Sequence, residues 1–153
     1  MSAGSPTTDR ASDADQTLLR PADLDFLRRP LHGFLSTAAG STPPQPRPVW
    51  FEVASDHTIQ LFTGPDTVKV RRLARDPRAS LVVAAPVGER ERWVSVTGPA
   101  TVEPDGAHAL LQRLAARYWD LDDPDRAREL ALMSDQDWVR VVIHPESVAR
   151  DAI

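Results

Sequence analysis

Stretches rich in β-branched and aromatic residues, one of them alternating between apolar and polar positions, predict several short β-strands. Turn-forming residues at 54–57 separate two such stretches and predict a hairpin, while a continuous apolar run at 80–85 predicts a central strand. Gly98-Pro99 interrupts the longest alternating stretch and predicts a bulge. The predicted strands cover residues 32–37, 49–53, 58–63, 80–85, 93–103 and 139–144, and a C-terminal tail follows the last of them.

Apolar residues at helical spacing predict several short helices between the strands. The strongest pattern opens at Pro104-Asp105-Gly106 and ends near Tyr118, and Asp123 is the expected N-cap of the next helix. The predicted helices cover residues 23–29, 67–75, 107–118 and 124–133. About six strands with a few helices, and no regular βαβ alternation, predict a mainly β (α+β) fold, an antiparallel barrel with peripheral helices.

The chain divides into a tail and one domain. Residues 1–17 are rich in Ser, Thr, Ala and Asp without an apolar period, which predicts a disordered N-terminal tail. Residues 18–153 form one predicted domain, because a chain of 153 residues suits a single hydrophobic core and this one has no internal repeat.

Composition excludes several function classes. A formal net charge of −4 argues against bulk nucleic-acid binding, which requires a basic surface. The absence of cysteine excludes a disulfide framework, a thiolate metal site and a thiol nucleophile. No apolar run reaches the roughly 20 residues of a membrane helix, and the first residues lack a signal-peptide pattern. We therefore expect a cytoplasmic protein with neither nucleic-acid nor membrane partners.

The single lysine is the most informative basic residue, because the other 17 basic residues are all arginine. It lies in a segment that follows a predicted strand and opens a predicted helix, where backbone N–H groups, hydroxyls and cations together predict an anion site for a phosphate. The side chains concerned are those of Thr63, Thr67, Lys69 and Arg71. The alternative is a solvated basic helix that balances an acidic surface. The segment matches neither the P-loop nor the G-x-G-x-x-G pattern.

The other chemically competent residues give weaker signals. The four histidines lack metal-ligand spacing, and the acidic stretch 120–125 lacks the glycine and terminal glutamate of a calcium loop, so we expect no metal site. Tyr118 is a candidate proton donor, but its place on an apolar helix face favours packing. Four tryptophans suit cores, interfaces and flat ligands alike, and we expect at least two in the core. The sequence names no catalytic residue.

Several motifs occur together in a characteristic order. They are Leu35-Ser36-Thr37 with Pro44 and Pro48-Val49-Trp50-Phe51 in an opening hairpin, a turn, helix and strand at 63–81, a strand at 93–98, and Arg117-Tyr118-Trp119 at the end of a long helix. Over about residues 23–148 this arrangement resembles the pyridoxamine 5′-phosphate oxidase-like split barrels. It most resembles their flavin- and deazaflavin-dependent oxidoreductases.

The resemblance implies a homodimeric split β-barrel with the cofactor at the subunit interface. It also implies an oxidoreductase that transfers a hydride between a bound deazaflavin (coenzyme F-420), or alternatively FMN, and a small organic substrate. The residues that it assigns to the cofactor are Thr63, Thr67, Lys69 and Arg71 for the phosphate, and the main chain of Pro48, Val49 and Trp50 for the ring system. The arginines at 71, 72, 75 and 78 offer a basic groove for a polyglutamate tail.

Two features depart from the family pattern. Ser41-Thr42-Pro43 replaces the usual Asp-Gly turn and Pro46 interrupts the next strand, so we expect a reshaped hairpin beside the substrate pocket. Thr67 stands where relatives often carry Arg or Ser, so we expect fewer phosphate contacts.

Two other hypotheses remain open from the sequence. One is a non-catalytic protein that binds a flavin or haem, for which His57 or His144 is the axial ligand to inspect. The other is a structural dimer whose cofactor site has decayed.

Overall fold

Eight antiparallel strands and four helices make up the computed structural model, which describes residues 18–152. The strands are β1 (Gly33–Thr37), β2 (Arg47–Val49), β3 (Glu52–Val53), β4 (Ile59–Thr63), β5 (Arg78–Ala84), β6 (Arg92–Glu103), β7 (Val139–Ile143) and β8 (Ser147–Ala152). The helices are α1 (Pro21–Leu27), α2 (Val68–Arg75), α3 (Ala107–Tyr118) and α4 (Pro124–Ser134). The tail predicted at 1–17 lies outside the described residues.

The strands form one curled sheet in the order β2-β1-β5-β6-β7-β4-β3, with β8 paired to β6 outside this path. The predicted mainly β split barrel is thereby confirmed. β6 connects the two halves, because its residues up to Pro99 pair with β5 and β8 whereas those from Ala100 pair with β7. β6 runs without interruption through Gly98-Pro99, where the sequence predicts a bulge, and changes its partners there instead.

The two ends of the sheet meet at Trp50 and Phe51. These two residues alone separate β2 from β3 along the chain, although β2 and β3 lie at opposite ends of the strand order. The strand predicted at 49–53 is therefore two short strands, one paired with β1 and the other with β4. β3 and β4 form the predicted hairpin. We call the position of Trp50 and Phe51 the seam of the barrel.

The core lies inside this curl. Every second residue along β1, β5 and much of β6, among them Leu35, Leu81 and Val96, is buried there, because successive side chains of a strand point to opposite faces of the sheet. α3 covers the barrel with a fully buried apolar stripe of leucines, and α4 begins at the predicted cap, since the Asp123 side chain accepts a hydrogen bond from the Asp125 N–H. None of the helices within residues 18–152 combines the length and apolar composition of a membrane span.

β8 corrects the prediction that a tail follows residue 144. Its sequence has no strong apolar alternation, and it forms a strand because it pairs with β6 from Arg92 to Thr97. Its Arg150 also reaches α1, where it donates to the buried carboxylate of Asp23 at 2.9 Å and to the Leu18 carbonyl at 2.8 Å. The last strand therefore fastens the first helix to the barrel.

Candidate functional site

A pocket of about 350 Å³ opens beside the seam. Much of its wall is apolar, formed by four aromatic rings and Met133, while Thr63, Lys69 and Glu129 contribute polar groups. The lining residues are Pro48, Val49, Trp50, Phe62, Thr63, Lys69, Trp119, Glu129, Met133 and Trp138. We call it the aromatic pocket.

The rings of this pocket hold one another in place. Trp50 meets Trp119 edge-on with ring centroids 4.8 Å apart, and Phe62 meets Trp138 edge-on at 5.0 Å. The Trp50 ring also stacks on Tyr118 at 5.2 Å, with the two rings nearly parallel. Because edge-to-face and offset pairs favour definite ring orientations, the pocket presents a preformed surface that suits a flat ligand.

A second pocket of about 290 Å³ lies next to the first and shares Lys69 with it. Three cations line this cationic pocket, one from β2 and two from α2. They are Arg47, Lys69 and Arg72, with Leu35, Thr37, Gln45, Thr67 and Val68 completing the lining. Lys69 and Arg72 are three residues apart in α2 and so share one helix face.

Lys69 has no carboxylate partner and no hydrogen-bond partner among residues 18–152. It is half-buried, and burial together with the nearby charge of Arg47 lowers the pKa of its ammonium group below the ordinary value of 10.5. Two neighbouring cations without a counter-charge in the described chain form an unfavourable arrangement that a bound anion would relieve. The side chains present therefore fit a phosphate-bearing cofactor.

The hydroxyls predicted for this site lie at the start of α2. Thr63 Oγ1 and Thr67 Oγ1 are 3.2 Å apart, and Thr67 Oγ1 donates to the Gly64 carbonyl at 3.1 Å. The Thr67 side chain makes no capping hydrogen bond to the first turn of α2. The N–H groups of that turn therefore remain available to an anion beside Lys69.

The structure brings most of the predicted residues together. Pro48, Val49, Trp50, Thr63 and Lys69 line the aromatic pocket, and Thr67 lines the cationic pocket.

Arg71, the remaining predicted residue, lines neither pocket. It lies exposed on α2, because a position two residues from Lys69 points to another side of the helix. Arg72 and Arg47 take its place beside Lys69. The sequence did not indicate Arg47, which comes from a different strand.

Tyr118, the candidate proton donor, is held by main-chain groups. Its hydroxyl donates to the Leu31 carbonyl at 2.7 Å and accepts from the Phe51 N–H at 3.3 Å. It therefore joins the segment before β1 to the seam, in agreement with the packing role that its position predicts.

The titratable side chains that line the aromatic pocket are those of Lys69 and Glu129, and Arg126 forms a 3.0 Å ion pair with Glu129.

His57 and His144 lie in a separate, polar pocket of about 250 Å³ with Asp56 and Thr58. Hydrogen bonds from Thr58 lower the pKa of the Asp56 carboxyl, and the charge of His144 adds to this effect. This pocket shares no lining residue with the aromatic pocket, so neither histidine is placed to ligate a group bound there. Within residues 18–152, no three His, Asp or Glu side chains are arranged to hold a metal ion.

Comparison with known proteins gives a family and several similar folds. The family model for pyridoxamine 5′-phosphate oxidase matches residues 19–148. A search of the curated proteins found no match.

Among solved structures, an F420 reductase has a TM-score of 0.63 at 24% sequence identity, covering 82% of this chain and 94% of that chain. A conserved hypothetical protein from Mycobacterium tuberculosis has a TM-score of 0.64 at 20% identity, covering 99% of this chain and 90% of that chain. A FAD-binding protein from Mesorhizobium loti has a TM-score of 0.59 at 21% identity, covering 88% of this chain and 96% of that chain. At these identities the structural matches show a shared fold.

Proposed function

The chain belongs to the pyridoxamine 5′-phosphate oxidase family, whose fold is that of flavin-binding oxidoreductases, and on this basis we propose that it transfers a hydride between a bound deazaflavin, coenzyme F-420, and a small organic substrate. One observation carries the proposal, the junction of the aromatic and cationic pockets at Lys69. A flavin-type cofactor combines the two features that these pockets suit, a flat conjugated ring and a phosphate.

The bound cofactor supplies the hydride chemistry, and the chain supplies its position and surroundings. Lys69, Arg47 and Arg72 bind the phosphate through charge-assisted hydrogen bonds. The rings of the aromatic pocket orient a flat ligand and exclude water from one of its faces.

A deazaflavin is favoured over FMN by the exposed arginines of α2. Coenzyme F-420 carries a polyglutamate tail, which needs cations beyond the phosphate site. Arg71 and Arg75 are exposed on α2, and no carboxylate within residues 18–152 pairs with either. Arg78 is less suitable, because Asp76 binds it at 2.5 Å and the pKa of that carboxyl falls to about 2. The similar fold of an F420 reductase supports the same choice.

FMN is the alternative, since the phosphate and ring sites would serve it equally. The similar fold of a FAD-binding protein is consistent with this option. FMN has no tail, so it would leave Arg71 and Arg75 without a role.

We also propose that the protein acts as a homodimer with the cofactor at the subunit interface. The outer face of the sheet has two complete rows of residues without charge across β1, β5, β6 and β8. The rows are Phe34, Val82, Ser95 and Ala149, and Ser36, Ser80, Thr97 and Ser147. An antiparallel sheet that faces water usually carries polar and charged residues, and Phe34 is 43% exposed here. A second copy would cover this face.

The same face borders the aromatic pocket. Phe34 is paired with Pro48 of β2, and Pro48 lines that pocket. A second copy on this face would therefore lie beside the proposed ring site.

The dimer is tested by placing a charge in the centre of this face. Val82→Arg should reduce the mass measured by light scattering from twice the 16.9 kDa of one chain to once that value. Ala109→Arg, at an exposed position of α3, is the control and should remain a dimer. An unchanged mass for Val82→Arg would show that this face is not the interface.

The activity is tested with reduced coenzyme F-420, whose oxidation is followed optically with a panel of quinone, enone and aldehyde acceptors. Turnover that depends on the protein and is lost in Lys69→Ala supports the redox proposal. Cofactor binding without turnover of any acceptor would favour the non-catalytic binding protein. The absence of both would favour the decayed site.

A further inference from the structure

Lys69 combines three properties that bear on its reactivity. It lines two pockets, it has no partner among residues 18–152, and the cations Arg47 and Arg72 line the same cationic pocket. It is also the only lysine of the chain, so the α-amino group is the only other primary amine.

The geometry points to a second use of this side chain: we propose that Lys69 Nζ captures small carbonyl compounds that carry a carboxylate or phosphate group, as a reversible imine in the cationic pocket. The nitrogen lone pair forms a bond to the carbonyl carbon. The carbonyl oxygen then leaves as water with the two hydrogens of the neutral amine, so no oxidant or reductant is needed.

Nucleophilic attack requires the neutral amine. Burial and the charge of Arg47 lower the pKa of Lys69, so more of this group is neutral at a given pH than in a solvated lysine. Desolvation and a neighbouring cation are the two ways in which proteins activate lysine for reaction with carbonyl compounds.

The same pocket selects for a negative charge. Arg47 and Arg72 can bind a carboxylate or phosphate while Thr37 and Gln45 offer further hydrogen bonds. A volume of about 290 Å³ admits a compound of several heavy atoms. An anionic aldehyde or keto acid bound in this way would hold its carbonyl group beside Lys69, which converts capture into an intramolecular step.

Capture has a consequence for the cofactor, and this part alone rests on the proposed function. An adduct on Lys69 would occupy the proposed phosphate site and add a negative charge there. The modified protein should therefore bind coenzyme F-420 or FMN more weakly than the unmodified protein. Anionic carbonyl compounds would in that case regulate the enzyme by closing its cofactor site.

The test uses the full chain with glyoxylate and cyanoborohydride, which reduces the imine to a stable secondary amine. Intact mass and peptide mapping then give the adduct on Lys69 and the adduct on the α-amino group of the same molecules. Propionaldehyde is the uncharged comparison. The α-amino adduct corrects for the different intrinsic reactivity of the two aldehydes. The ratio of the Lys69 adduct to the α-amino adduct therefore measures how the cationic pocket changes the reactivity of Lys69.

We expect the Lys69 to α-amino ratio to be about tenfold or more higher for glyoxylate than for propionaldehyde, since one charge-assisted hydrogen bond has roughly that effect. Arg47→Gln should abolish most of this preference. Arg28→Gln, exposed at the end of α1 and lining neither pocket, should keep it. Lys69→Arg should form only the α-amino adduct, and urea-unfolded protein should show no preference.

Equal ratios for the two aldehydes in the folded protein would overturn the proposal, as would a preference that persists in Arg47→Gln. The result is independent of the proposed function, because trapping is measured without a cofactor. Selective trapping that leaves flavin binding unchanged would support carbonyl capture and contradict the shared phosphate site. Flavin binding without selective trapping would contradict carbonyl capture alone.

Discussion

Replacing Gly98 by alanine should destabilise the barrel more than a change at any exposed glycine. Gly98 lies in β6 where this strand changes partners between the two halves of the sheet. A Cβ atom there would lie 1.8 Å from the His144 carbonyl oxygen and 2.8 Å from its carbonyl carbon. Both are backbone atoms, so no side-chain rotation can relieve the overlap.

The cost follows from the hydrogen bonds on either side. The His144 N–H donates to the Pro99 carbonyl at 2.9 Å, and the Glu146 N–H donates to the Thr97 carbonyl at 2.8 Å. To restore an ordinary contact of 3.4 Å, the two backbone segments would have to move apart by about 1.6 Å, which neither bond can tolerate. At roughly 1–3 kcal/mol for each broken bond, we expect a loss of about 2–6 kcal/mol, a large part of the stability of a domain this size.

Urea unfolding followed by tryptophan fluorescence measures this loss directly. Gly88→Ala is the matched control, because its φ of +98° disfavours alanine while no atom lies within 4 Å of the new Cβ. It should cost only about 1–2 kcal/mol. If Gly98→Ala lost no more stability than Gly88→Ala, the close approach of β6 to the β7–β8 connection would be wrong.

Three further predictions concern the anchoring of α1, the seam and the site. Tyr118→Phe should lower the free energy of unfolding, measured by urea unfolding, by about 1–2 kcal/mol, because two main-chain groups lose the hydroxyl with which they form hydrogen bonds. A loss below about 0.5 kcal/mol would contradict this role. Asp23→Ala should cost about 3 kcal/mol in the same assay, since it leaves the Arg150 guanidinium without its carboxylate, whereas Asp25→Ala, exposed on the same helix, should cost little. With lysine-selective isotope labelling, NMR should show one side-chain signal with a pKa below 10.5, which inorganic phosphate raises because an anion favours the ammonium form. Folding lowers this pKa, so just below pH 10.5 the unfolded chain binds more protons than the folded chain, and Lys69 makes the free energy of unfolding rise with pH there. A measured pKa at or above 10.5 without phosphate would contradict the burial of Lys69.

Much of the fold could be predicted because its signals are local. Runs of β-branched, aromatic and apolar residues place β1, β4, β5 and β7 within a few residues of their predicted ends, and the leucines that predict α3 are all buried. The division of residues 47–53 into β2 and β3 has no local signal, since it arises where the two ends of the sheet meet. β8 was missed for a similar reason: its partner strand, rather than its own pattern, makes it a strand.

The site shows the same division between local and tertiary information. The turn and helix start around Lys69 could be predicted from one continuous segment. Arg47 could not, because nothing in the sequence near it indicates that β2 brings it beside α2. Trp119 and Trp138 come from different parts of the chain and line the same pocket only in the folded barrel. The sequence shows that the chain has four tryptophans, but it does not show that these two line one pocket.

The central claim is that Lys69 joins a ring site and a phosphate site for one flavin-type cofactor. The most direct measurement is a fluorescence titration of the purified protein with coenzyme F-420 and, separately, with FMN, for the unmodified chain and for Lys69→Ala. We predict that one cofactor binds with a Kd well below 100 μM and that Lys69→Ala weakens it about 10- to 150-fold, the value of one charge-assisted hydrogen bond. If neither cofactor binds below about 100 μM, or roughly −5.5 kcal/mol, or if Lys69→Ala binds as tightly as the unmodified chain, the claim is contradicted.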